Sequence, residues 1–95
     1  MEPEYPLQLA YHEVISLRNV LDNYANDVNG MGYIWKELNN AIYERWEAVE
    51  IRISKSTWNH LVKVLNNIQT NNSYAHVKSD FENIIWITEV WIPAS

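Results

Sequence analysis

Between Leu7 and Ile92 this chain of 95 residues contains no proline and only two glycines, Gly30 and Gly32. A sheet of many strands needs turn residues every few positions, whereas a helix needs none along its length. The chain is therefore predicted to be mainly α, a compact bundle of about four helices. Its length makes a single domain over residues 1–95, and a chain of this size buries roughly 60–65% of its unfolded surface in one modest core. An apolar fraction of 47% is enough to build that core and argues against disorder.

Apolar spacing sets the expected helices. Leu7, Ala10, Tyr11, Val14, Leu17, Leu21, Tyr24 and Val28 recur at three- and four-residue steps, predicting a helix over 6–28 with Pro6 in its first turn. The Asn29-Gly30-Met31-Gly32 run would end it, with glycine as a left-handed C-cap. Ile34, Leu38, Ile42, Trp46, Val49 and Ile53 predict a second helix over 33–52. Its end is ambiguous, because Val49-Glu50-Ile51-Arg52-Ile53 alternates as a short half-buried strand would over 49–53. Trp58, Leu61, Val62, Leu65 and Ile68 predict a third helix over 56–69 behind the Ser54–Thr57 capping cluster. Ser79 and Glu82 have capping-box spacing, and a fourth helix is predicted over 75–91, stopped by Pro93. Trp46 and Trp58 fall inside these stripes and are expected in the core.

The last apolar segment, Ile84 to Ile92, has Glu89 as its only charge and is greasy on more than one side whether helix or strand. So small a chain has little material to cover it, which points to an interface built from Trp86, Ile87, Val90, Trp91 and Ile92. Tryptophan is a common anchor in such surfaces. The net charge of −5 is concentrated early: residues 1–30 carry Glu2, Glu4, Glu13, Asp22 and Asp27 against Arg18 alone. Glu4, Glu13, Asp22 and Asp27 form a candidate acidic face for docking onto a basic partner.

The chemistry available for catalysis is thin. Cysteine is absent, which removes disulfides, thiol nucleophiles and cysteine-type zinc sites and fits a cytoplasmic protein. His12, His60 and His76 make no His-x-x-x-His pair, so no metal site and no cofactor is expected. Two glycines cannot make a phosphate-cradling loop. Met1-Glu2-Pro3-Glu4 lacks a signal-peptide pattern, and the longest apolar run is far short of the roughly 20 residues that span a bilayer. No enzymatic activity and no membrane association are expected.

The leading expectation is thus a small acidic protein-binding module, homodimeric, that occupies a partner protein's surface. Size and charge place it beside inhibitors, immunity proteins and antitoxins, phage-encoded ones included. One local pattern offers an alternative. Val49-Glu50-Ile51-Arg52-Ile53-Ser54, followed by the Trp58/Leu61/Leu65 helix and a Ser79-capped helix, resembles the strand–helix–helix order of ribbon-helix-helix DNA-binding dimers. That resemblance covers about the last half of the chain, residues 49–92, and implies base contacts from Glu50 and Arg52 with Lys55 on phosphate. Clustered Lys and Arg, which binding to phosphate backbones needs, are otherwise missing. A further alternative is a small-ligand pocket between tryptophan-bearing helices of the bundle.

Overall fold

Tyr5, Leu7 and Leu9 alternate with Glu4, Pro6 and Gln8, and this period of two decides the start of the fold. In the computed structural model, which describes residues 3–71 and 75–90, Glu4–Ala10 is a strand, β1. It pairs antiparallel with a second strand, β2 (Ala48–Ser54), with Tyr5 opposite Ile53, Leu7 opposite Ile51 and Leu9 opposite Val49. The inward side chains Leu7, Leu9, Val49, Ile51 and Ile53 are all buried, while Glu4, Pro6, Gln8, Glu50 and Arg52 face outward and are exposed. The helix expected over 6–28 is therefore replaced by strand, helix and loop. Leu7 satisfies both periodicities, but only the strand gives the alternating residues of β2 a partner, and neither strand is stable alone.

The chain then runs through α1 (Tyr11–Val20), a 3₁₀ turn at Asp22–Tyr24, α2 (Met31–Glu44), β2 and α3 (Lys55–Thr70). A 3₁₀ turn at Ala75–Val77, α4 (Lys78–Ile84) and α5 (Trp86–Val90) complete it. The fold is mostly helical, as expected, but it is not a plain bundle. Helices cover the inner side of a two-stranded sheet, and Val14, Leu17, Ile34, Leu38, Trp58, Leu61, Leu65, Phe81, Ile84 and Ile87 join the strands in one core.

Local chemistry explains the boundaries. Glu13 accepts the Ala10 N–H at 2.8 Å, so α1 starts on the return half of a capping box even though its N-cap is an alanine. Ser54 closes β2 and caps α3, its Oγ accepting the Thr57 N–H at 3.3 Å, which places α3 within a residue of its expected span at each end. The expected helix over 33–52 stops at Glu44. Arg45 there adopts the left-handed conformation (φ 60°, ψ 44°). The Arg45 and Trp46 amides donate back to Ile42 and Ala41, the paired bonds of a Schellman motif with arginine in glycine's usual place.

Two further expectations are corrected. The helix over 75–91 is divided at Ile85, and α4 is capped at Val77 without a side-chain hydrogen bond, leaving Ser79 inside the helix rather than at its cap. The glycines do not end α1. Gly30 (φ 105°) is the N-cap of α2, and Gly32 lies in the first turn of α2 against the preceding loop. A Cβ on Gly32 would lie 2.6 Å from the Asp27 carbonyl oxygen and 2.9 Å from that of Ala25.

A polar seam fastens α4 to α1. The buried Ser16 hydroxyl donates to Asp80 and accepts from Asn83, and Asn19 donates to the other Asp80 oxygen. Gly32→Ala is expected to destabilise the fold by about 1–3 kcal/mol, because backbone rather than a movable side chain fills the space. The midpoint of urea denaturation checks this; an unchanged midpoint would mean that the loop yields freely.

Candidate functional site

Three regions of the surface carry the residues singled out from the sequence. The first is the tail. Ile84 and Ile87 are fully buried, Ile85 and Trp86 pack against the core, and Val90 is 57% exposed. Ile87 therefore belongs to the core and not to an interface. The break at Ile85, where the Thr88 amide and hydroxyl both bond the Ile85 carbonyl, re-aims the residues that follow. Trp91 and Ile92 lie outside the described residues. Trp86 and Val90 line a groove of about 430 Å³ with Trp58 and the Tyr5–Gln8 stretch of β1. The Trp86 indole N–H donates to Glu13 at 2.7 Å.

The acidic residues are carried by four different stretches of the fold, since the single helix that would have aligned them is absent. Glu4 is exposed on the outer side of β1, and Asp22 is exposed in the 3₁₀ turn after α1. Glu13 is engaged by Ala10 and Trp86. Asp27 accepts the Met31 N–H and lies 3.4 Å from His60 of α3. Two of the four thus hold the fold together.

The second region is the outer face of the sheet. Glu50 and Arg52 both project there, as the strand reading requires, and Lys55 opens α3. Gln8 Nε2 donates to Glu50 Oε1 at 2.9 Å, and Arg52 lies 3.6 Å from the same carboxylate. Beyond Gln8 and Glu50 the small side chains of Ala10 and Ala48 leave a shallow hollow.

The third region was not anticipated. Trp46, expected in the core, is 41% exposed, and Tyr43 is 86% exposed. The helix ends at Glu44, so Trp46 leaves the stripe on which its spacing with Ile42 and Val49 would have placed it. Tyr11, Arg45, Trp46 and Glu47 line an open hollow of about 510 Å³ at the junction of α2 with the sheet. The conjunction of tryptophan, tyrosine and arginine is the residue chemistry of binding hot spots. A left-handed non-glycine residue costs about 1–2 kcal/mol, and such strain concentrates at functional sites. No periodicity test could have found this patch, since it depends on where one helix stops.

The groups suited to chemistry are sparse. No cluster of three or more His, Asp or Glu able to hold a metal occurs among the described residues. The hydroxyl of Tyr33 on α2 has its pKa raised, first by partial burial and then by the carboxylates of Glu37 and Glu4. Among the described residues no helix is long and apolar enough to cross a membrane. Comparisons with protein-family models, characterised proteins and solved structures find no match for this chain.

Two substitutions test the construction of these regions. Glu13→Ala removes the acceptor of both Ala10 and Trp86 and is expected to cost about 1–3 kcal/mol in urea denaturation. Arg45→Gly is expected to stabilise by about 0.5–1 kcal/mol, because glycine occupies the left-handed region without strain. A loss of stability at Arg45→Gly would show instead that the guanidinium has a structural role.

Proposed function

We propose that this chain is a small, acidic, non-enzymatic protein-binding module that works by covering part of a partner protein, in the manner of inhibitors, immunity proteins and antitoxins. The observation that carries the reading is the open hollow lined by Tyr11, Arg45, Trp46 and Glu47, with the exposed Tyr43 two residues before Arg45 in the chain. Tyr43 is almost fully exposed and Trp46 partly so, left-handed Arg45 lies between them in the chain, and neither aromatic belongs to the core cluster. Aromatic side chains bury 150–250 Å² each when covered, so they supply most of the affinity an interface needs. Glu47 lines the hollow and exposed Glu44 adjoins Arg45 in the chain, whose net charge is −5. The fitting partner is therefore a protein surface with an apolar centre and a rim of lysine or arginine, which the field of the whole molecule would also steer.

Other readings draw less support from the same surface. Contact with nucleic acid through β2 would need free cations, and the outward Arg52 already lies beside Glu50. The hollows at the sheet and at Trp46 are open rather than enclosing, unlike the pockets that bury most of a small ligand.

Affinity capture from the native host, run side by side with wild type, the Tyr43→Ala/Trp46→Ala pair and Val90→Ala, tests the reading. One protein retained by wild type and by Val90→Ala, and lost with the Tyr43/Trp46 pair, is the expected result. Retention by all three would place binding elsewhere, and an empty wild-type capture would remove the reading.

A further inference from the structure

A two-stranded sheet has two open edges, and the two edges here are unlike. The edge of β1 carries Pro6, which cannot donate a ladder hydrogen bond, and the Trp58, Trp86 and Val90 wall runs along its Tyr5–Gln8 stretch. The edge of β2 has neither protection. Residues Ala48–Ser54 contain no proline, and three of the seven are β-branched. Among the described residues β2 has no strand on its second side, and no loop or cap backbone hydrogen bond reaches it. Such an edge is a template for another strand.

The pattern of β2 says which strand fits. A second copy of β2 running antiparallel about a two-fold axis must match outward side chains with outward ones, so the axis passes through a residue and not between two. Three axes keep the strands well overlapped. An axis at Glu50 sets two glutamates opposite each other, and one at Arg52 sets two arginines opposite each other. An axis at Ile51 sets Glu50 of each copy opposite Arg52 of the other. It also sets Val49 opposite Ile53 on the inner face, and Ala48 opposite Ser54 at the ends. Opposite charges across a strand pair stabilise and like charges destabilise, so only the Ile51 register is complementary.

We infer that β2 pairs with β2 of a second copy about a two-fold axis at Ile51, making a continuous four-stranded antiparallel sheet in the order β1–β2–β2–β1. This deepens the binding module proposed above by joining two copies of it along a defined seam. Gln8 and Arg52 of the same copy already lie beside Glu50, so each Glu50 would stand between its own Gln8 and Arg52 and the other copy's Arg52. Tyr43 and Trp46 lie outside the paired residues Ala48–Ser54.

Sizing chromatography with light scattering at about 100 µM protomer tests the inference, since assembly depends on concentration. The wild type is expected at twice the protomer mass of 11.2 kDa. Glu50→Arg and Arg52→Glu, each alone, replace two attractive contacts by two repulsive ones and should weaken the dimer about tenfold or more. The combined Glu50→Arg/Arg52→Glu variant restores both attractions and should recover the dimer, while circular dichroism confirms that all three keep the wild-type helix signal. A monomeric wild type overturns the inference, as does a dimer that either single charge reversal leaves intact. Neither result touches the capture experiment, which reads the Tyr43 and Trp46 patch.

Discussion

The pairing of β1 with β2 is the constraint on which the rest of the structure depends. Leu7 against Ile51 and Leu9 against Val49 lay an apolar floor that neither segment could make alone. The strands also hold the helices by their ends. Ala10 closes β1 and caps α1, and Ser54 closes β2 and caps α3, so two of the three longest helices leave the sheet at fixed points. α1 in turn carries α2 and α4, and the C-terminal helix is brought back to the start of α1 by the Trp86–Glu13 hydrogen bond.

Much of the secondary structure was legible in the residues, and the misses share one cause. α3 could be read almost to the residue because its cap, stripe and end signal agree. β2 could be seen as an alternation but not distinguished from the tail of a helix, since both templates fit Val49–Ile53. β1 was hidden for the converse reason: Leu7 belongs equally to a helical stripe and to an alternating one, and the deciding fact is a partner strand far along the chain. Local pattern cannot weigh a long-range pairing. The same blindness placed Trp46 in the core, because a left-handed arginine gives no warning that a helix is about to stop.

The candidate surface was less legible than the fold. Apolar content near the C-terminus suggested an uncovered tail, yet of its described residues Ile84 and Ile87 went inside and Trp86 found Glu13. Charges counted as a docking face proved partly structural, with Asp27 beside His60 and Glu13 under Trp86. Composition reports how much apolar or acidic material a chain owns; which of it remains in water is settled only by packing. The exposed aromatics at Tyr43 and Trp46 stand out against that background because their neighbours do not account for them.

The separation of the two strands along the chain bears on how this protein is made. Glu4 must wait for Ser54 before its pairing is complete, so during synthesis the first strand emerges well ahead of its mate. Until then Leu7 and Leu9 have no floor to join, and a nascent chain at that stage presents a bare, sticky ribbon. Of the helices, α1 and α2 emerge before β2, and α3, α4 and α5 follow it. Even once β2 has emerged, that ribbon's inner side stays uncovered until α3 and α4 bring Trp58, Leu61, Phe81 and Ile84 against it.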